Sequence, residues 1–118
     1  MNESEFLKGE ITNIVKSDTI ERAVEMLQKE APGSTVILFG SQARGEAGKE
    51  SDLDFMVIEP EVKSPRREMT RLRKALLFLP GSIDILVTSK NLFEKWSKMP
   101  GTVYYEAERE GRIFHART

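Results

Sequence analysis

Apolar residues recur at helical spacing through the first thirty positions of the chain. The first stripe includes Phe6 and Ile11, as expected for one face of an amphipathic helix. Asp18 followed by Glu21 resembles a capping box and would begin a second helix. We therefore predict a helical amino-terminal segment of two helices, which ends at the turn-forming residues 31–34.

Short apolar runs bounded by turn residues then alternate with amphipathic segments. The runs at 35–39, 53–59 and 82–88 predict three buried strands. Ser64–Pro65 begins a predicted helix that continues to about Leu79 before Pro80–Gly81. Because helical and strand-like segments are interleaved, the pattern predicts an α/β (α+β) fold.

The last quarter of the chain adds two short helices and a final run. Ser89 or Asn91 would cap the first helix, the second extends from Val103 to Glu110, and RIFH could form a fourth strand. We therefore expect a small mixed sheet of three to four strands flanked by helices. It would form a single domain over residues 1–118, with 1–31 as a helical extension and 33–116 as the core.

Composition narrows the class of protein without identifying a function. The 118 residues are 39% hydrophobic and 31% charged, with a formal net charge of −1, as in ordinary globular proteins. No apolar run is long enough to span a membrane, and the absence of cysteine excludes disulfides and thiolate metal sites. We expect a cytoplasmic protein with no membrane partner and, lacking a broadly basic surface, no nucleic-acid partner.

Gly40 and Ser41 follow the first predicted strand directly, where the chain turns toward solvent. Glycine allows the backbone to approach a phosphate closely, and N–H groups with the serine hydroxyl can donate to its oxygens. A Gly-Ser pair after a strand is also a common plain turn. The pair alone therefore leaves a phosphate site and a turn both open.

Asp52 and Asp54 stand two positions apart where the second predicted strand begins. Side chains at this spacing point to the same face, with Cα atoms roughly 6–7 Å apart. Two such carboxylates repel each other unless a cation lies between them, and carboxylates are ligands that Mg²⁺ prefers. The alternative is a solvated acidic pair at a strand edge.

Asp84 lies inside the third predicted strand, flanked by Ile83 and Ile85. A buried, unpaired carboxylate there would be costly. Asp84 therefore either faces solvent at a sheet edge or joins the first two carboxylates beside a metal. In the second arrangement, three carboxylates could hold two cations.

The segment between the first two strands resembles the signature of the minimal nucleotidyltransferase (MNT) family, a branch of the DNA polymerase β-like superfamily. The matching positions are Gly40-Ser41 and, ten residues later, Asp52-Leu53-Asp54. Further matches are Arg44-Gly45, Ser51 and, as the third acid, Asp84. The resemblance covers roughly residues 33–116 and implies the nucleotidyltransferase fold of that superfamily.

The resemblance also implies roles for the acidic residues. Asp52 and Asp54 would coordinate two Mg²⁺ ions. Asp84 would complete the metal site and help to deprotonate the acceptor hydroxyl. All three would thus be both catalytic and metal-binding.

Three further residues are implied to contact the ATP substrate. Gly40 and Ser41 would hold its β- and γ-phosphates. Arg44 would neutralise charge on the triphosphate, unless it is a surface residue paired with Glu46 or Glu50.

The chain resembles in particular the stand-alone MntA-type antitoxins of HEPN/MNT toxin–antitoxin pairs. This resemblance implies transfer of AMP from ATP to a hydroxyl, typically of tyrosine, on a partner HEPN toxin. Two alternatives stay open: a nucleotidyltransferase for a small molecule such as an antibiotic, and an antitoxin that acts by contact alone. Either a homo-oligomer or a hetero-oligomer is compatible with these functions.

Several other features favour structural explanations. The cluster of basic residues between Arg66 and Lys74 is typical of a solvated helix face, and its functional alternative is contact with an acidic partner or phosphate. Phe93 and Trp96 are interpreted as core or interface residues. His115, the sole histidine, is not expected to be catalytic.

Overall fold

A computed structural model describes residues 3–40 and 53–116, with side chains from residue 17 onward in the first helix. In chain order the elements are α1 (Glu3–Glu30), β1 (Thr35–Phe39), β2 (Leu53–Glu59), α2 (Pro65–Ala75), β3 (Ile83–Ser89), α3 (Lys90–Trp96), α4 (Val103–Glu110) and β4 (Arg112–Phe114). Within the described residues, no helix combines the length and apolar character needed to cross a bilayer.

The strands form one mixed sheet in the order β3-β2-β1-β4. β1 is antiparallel to both β2 and β4, whereas β2 is parallel to β3. The parallel pair requires a crossover, and α2 provides it. This arrangement confirms the predicted small mixed sheet flanked by helices.

Alternation along the strands gives the sheet two apolar faces. On the α1–α2 face, Leu53, Phe55 and Val57 of β2 belong to the main core together with side chains of α1 and α2. On the α3–α4 face, Met56 and Ile58 belong to a smaller core with Ala107 and other residues of α3 and α4. β2 is thus buried on both faces and is the structural centre of the domain.

β4, near the end of the described chain, packs beside elements from its first third. Its residues pair with β1 from Val36↔Phe114 to Leu38↔Arg112. The side-chain amide of Gln28 in α1 donates to the carbonyl oxygens of Phe114 at 3.3 Å and His115 at 2.8 Å. Two distant parts of the sequence therefore complete one edge of the sheet.

The prediction of two amino-terminal helices is wrong, because α1 is continuous from Glu3 to Glu30. Asp18 does not cap a new helix. It lies 4.0 Å from Arg22, one turn further along the same helix. The stripe of Ile20, Val24 and Leu27 is buried in the main core, so the second half of α1 packs against the sheet.

The prediction that the crossover helix continues to Leu79 is also wrong, because α2 ends at Ala75. The N–H of Leu76 bonds to the carbonyl of Arg73, three residues back, and Leu79 bonds to Leu76 in the same way. Tightened turns of this type commonly close a helix. Leu79 is 6% exposed, so its side chain packs into the core although it lies outside the helix.

Gly111 follows the last residue of α4 directly. Its φ of −81° is accessible to any residue, so no left-handed turn is required. A Cβ atom there would lie 2.4 Å from the carbonyl oxygen of Ala107 and 2.4 Å from Cγ2 of Ile37. Glycine is needed because α4 and β1 approach each other too closely for a side chain.

Candidate functional site

Asp54 and Asp84 are direct neighbours across the parallel pair of β2 and β3. Each alternates with residues of the main core, so both side chains lie on the α3–α4 face, beyond Met56 and Leu86. Neighbouring strands are about 4.8 Å apart, so the two carboxylates share one small region at the amino-terminal end of β2. Their mutual repulsion makes this region favourable for a cation.

Gly40 lies beside these carboxylates because β1 ends opposite the beginning of β2. Phe39 pairs with Asp54, and Gly40 then turns with a φ of +78°. A Cβ atom on Gly40 would lie 2.7 Å from Oδ2 of Asp54. Glycine is therefore needed at position 40 for two reasons. It adopts the positive φ of the turn, and its lack of a side chain leaves room for the Asp54 carboxylate.

Arg73 of α2 reaches the same region from the other side of the sheet. Its Nη2 lies 3.9 Å from Oδ1 of Asp84, which is possible because β3 is the edge strand. The two side chains are 64% and 55% exposed. Solvent therefore screens this ion pair, and Asp84 remains open to a ligand. Asp84 thus faces solvent at the sheet edge, as one of the two alternatives predicts, and it also adjoins Asp54. Its position beside Asp52 and a metal stays a prediction.

Three of the predicted site residues, Ser41, Arg44 and Asp52, lie outside the described residues. The structure brings together Gly40, Asp54 and Asp84. Within residues 3–40 and 53–116, no three metal-binding side chains form a group that could hold an ion. The described part of the site therefore contributes two carboxylates.

A second set of charged residues lies at the opposite end of β2. Glu59 is 8% exposed, and its Oε2 atom has no hydrogen-bond partner in the described part of the chain. Burial, together with a hydrogen bond to Glu68, raises the pKa of Glu59 to about 7. At five residues from Asp54, Glu59 is about 17 Å away along the strand, too far to share its chemistry.

Arg71 links this second set of charged residues, which includes Glu59 and Glu68, to α1. Its Nε donates to Glu68 at 2.5 Å, and its Nη2 donates to the carbonyl of Glu30 at 2.8 Å. The Arg71 guanidinium lowers the pKa of Glu68, and that carboxylate in turn raises the pKa of Arg71. The set thus joins α2 to the end of α1, a structural role at a helix carboxyl terminus where a cation is favourable.

Sequence reasoning missed Glu59 and the contact of Arg73 with Asp84. An acidic residue at the end of the apolar run 53–59 was the available signal for Glu59. No sequence pattern indicates the reach of Arg73, since it depends on β3 being the edge strand.

A family profile and one solved structure agree with this fold. The family profile described as "Nucleotidyltransferase domain" matches residues 20–115, beginning within α1. A candidate nucleotidyltransferase from Sulfolobus solfataricus has a similar structure, with a TM-score of 0.53 and 14% identity over 99% of this chain and 91% of that chain. A toxin–antitoxin structure solved with AMP-PNP gives a TM-score of 0.48 and 18% identity over 83% of this chain and 74% of that one. No curated protein matches significantly. Since the profile covers most of the chain, including both strands that bear the paired carboxylates, the protein belongs to the nucleotidyltransferase domain family.

Proposed function

We propose that this protein is a metal-dependent nucleotidyltransferase that transfers AMP from ATP to a hydroxyl group of a partner protein. The partner in this proposal is a HEPN toxin and the acceptor is a tyrosine, as the resemblance of the sequence implies. The protein would then act as the antitoxin by modifying its partner covalently.

The pairing of Asp54 with Asp84 beside Gly40 is the observation that supports this proposal best. The two carboxylates lie on one face of adjacent strands, and the missing side chain of Gly40 leaves room for Oδ2 of Asp54. Arg73 contacts Asp84 at 3.9 Å from the edge of the sheet and leaves it 55% exposed.

These residues fit the chemistry of Mg²⁺, which takes oxygen ligands and is often held by one or two carboxylates together with water and substrate phosphates. Asp54 and Asp84 would hold it, with Asp52 as the further ligand that the sequence predicts. When bound, Mg²⁺ neutralises charge on the triphosphate and favours departure of pyrophosphate.

The protein's own residues would orient the substrates and move one proton. The acceptor oxygen forms a bond to the α-phosphorus while the bond from that phosphorus to the bridging oxygen breaks, and pyrophosphate leaves. Asp84 would help to accept the hydroxyl proton, since it is exposed enough to meet an incoming acceptor. Gly40 and Ser41 would hold the outer phosphates through backbone N–H groups and the serine hydroxyl.

An acceptor on a macromolecule fits the position of Asp84. Its side chain is 55% exposed on the edge strand, where another protein can reach it directly. A docked partner would also exclude water from the reacting phosphate.

The test is incubation of the candidate HEPN partner with ATP, Mg²⁺ and this enzyme, followed by intact mass spectrometry. We expect a gain of one or more AMP units. Asp54→Asn should slow the transfer by at least about 100-fold, because it removes one charge from the site at nearly constant shape. Glu61→Gln, a matched loss of charge at an exposed position, should leave the rate unchanged.

Calorimetry provides a second measurement that does not depend on the acceptor. Mg²⁺-dependent binding of ATP should be weaker for Asp54→Asn, and equal binding by both proteins under every condition would contradict the metal site. If the partner never gains mass while Asp52→Ala/Asp54→Ala still neutralises it fully, the protein acts by contact alone.

A further inference from the structure

The outer edge of β3 is an open strand edge with a defined set of hydrogen-bonding groups. β3 ends the sheet, and the N–H of Leu53 bonds to the carbonyl of Ser82 at 3.0 Å. Because the backbone groups of alternate residues point to the same side of a strand, this bond places the N–H and C=O groups of both Ser82 and Asp84 on the side of β2. The N–H and C=O groups of Ile83, Ile85 and Val87 therefore point away from the sheet.

None of the backbone hydrogen bonds in the described part of the chain that lie outside helices and strands involves these outward groups. Short strands, prolines or inward-pointing charges usually protect such edges in proteins. β3 has seven residues and no proline. Its edge is therefore a suitable template for another strand.

A trough runs along this edge between β3 and α2. It consists of two hollows of about 310 and 260 Å³, which share Arg73 and Ile85. Arg66 lines one hollow, and Leu77, which is 74% exposed, lines the other. Among the described residues, no acidic side chain lies within ion-pair distance of Arg66. The trough therefore presents positive charge and apolar surface next to unpaired backbone groups.

The trough adjoins the candidate active site around the edge of β3, although Asp84 itself does not line either hollow. Arg73 lines the trough and also contacts Asp84 at 3.9 Å. A strand added to β3 would place one residue opposite Asp84, with its side chain on the same face as Asp54. The residues opposite Ile85 and Val87 would instead face the trough, because side chains alternate along a strand.

We propose that an extended, acidic segment of the acceptor protein adds to the edge of β3 and presents its hydroxyl to Asp84. This proposal rests on the proposed function and adds the mode of docking. The hydroxyl residue lies opposite Asp84, and acidic residues one and three positions away meet Arg73 and Arg66. Main-chain hydrogen bonds supply affinity and the alternating side chains supply specificity.

A second copy of this chain is a poorer occupant. Pairing β3 with itself about a twofold axis would bring two rows containing Arg66 and Arg73 together. Like charges placed opposite each other in this way are destabilising. Charge complementarity therefore favours an acidic partner.

The test uses the full-length protein and a fluorescent peptide, TVYEVEVT, in which the acids stand one and three positions after the tyrosine. Binding is followed by anisotropy without ATP or Mg²⁺. Arg66→Glu should weaken it about tenfold. Arg67→Glu is the matched control. It introduces the same change of charge on the same helix, but Arg67 lines a different hollow. TVYKVKVT should bind weakly to the wild type.

Methylation of peptide backbone nitrogens tests strand pairing directly. Methyl groups on the two glutamates block one set of alternating N–H groups, and methyl groups on the tyrosine and the central valine block the other set. Only the set that faces β3 should be needed, with a loss of about tenfold or more for that set alone. Equal effects of the two sets, or equal binding by Arg66→Glu and Arg67→Glu, would overturn the proposal.

Failure of this proposal is distinguishable from failure of the proposed function. If AMP transfer to the partner is equal in Arg66→Glu and Arg67→Glu, the docking mode is wrong although the enzyme activity stands. If the peptide binds as expected but no partner gains AMP, docking stands and the transferase proposal falls. Binding of a single-stranded RNA oligomer in place of the acidic peptide would identify the trough as a nucleic-acid site and overturn the proposal.

Discussion

Replacing Glu59 by glutamine should change how the stability of the fold depends on pH. Glu59 lies at the end of the central strand, is 8% exposed, and leaves its Oε2 atom without a partner among the described residues. Desolvation disfavours its charged form, and a protonated Glu59 can donate to the carboxylate of Glu68. A glutamine keeps the shape and can make the same donation without titrating.

The pKa rises from 4.5 to about 7, which sets the size and sign of the effect. Between these values the folded protein binds more protons than the unfolded chain, so stability falls as the pH rises. Over pH 5 to 8, this loss amounts to about 2–3 kcal/mol. The pKa of Glu68 shifts down instead, so its contribution to stability is lost only as the pH falls below the ordinary value of 4.5.

Urea unfolding at pH 5, 6, 7 and 8 measures this effect. Glu59→Gln should match the wild type in stability near pH 5 and exceed it at pH 8, whereas Glu61→Gln, an exposed neighbour, should follow the wild type. If wild type and Glu59→Gln have parallel stability profiles, the carboxyl group is not buried as described.

Two further predictions concern glycines. Gly40→Ala introduces about 1–2 kcal/mol of backbone strain and displaces the Asp54 carboxylate, so Mg²⁺-dependent ATP binding measured by calorimetry should be lost. Gly101→Ala, at a φ of +88° with nothing within 4 Å of the new atom, should carry a similar strain but bind ATP normally; equal loss in both would contradict the role of Gly40. Gly111→Ala should lower the free energy of unfolding by about 1–3 kcal/mol in urea titrations, although its φ is unstrained, because Ile37 and Ala107 occupy the space. An unchanged midpoint would show that α4 can shift at little cost.

Local periodicity was sufficient to predict the strands that form the centre of the fold. β1 and β2 have the predicted bounds because each is a short apolar run closed by turn residues, and β3 begins one residue later than predicted. Helix boundaries were less predictable. Asp18 has the spacing of a cap, but the apolar stripe around it continues into the main core, and packing of that stripe keeps α1 intact.

The candidate site was only partly predictable for a similar reason. Residue type and spacing identified Asp54 and Asp84 as carboxylates at strand positions. Their shared face follows from the parallel register of β2 and β3, which no local pattern contains. The approach of Gly40 to Asp54 and the reach of Arg73 around the edge depend on strand order, which is set by long-range pairing.

The pairing of β4 with β1 also has a consequence for synthesis of the chain. The Gln28 amide and its acceptor on Phe114 are 86 positions apart, so this edge cannot close until nearly all described residues have left the ribosome. Until α3 and α4 have followed, Ile37, Met56 and Ile58 on the α3–α4 face have no cover. Contacts between such distant segments form slowly, and uncovered apolar strands promote aggregation. If the ribosome stalls before α4 is synthesised, the nascent sheet would therefore have one exposed apolar face. A chaperone that binds apolar surface could recognise this face.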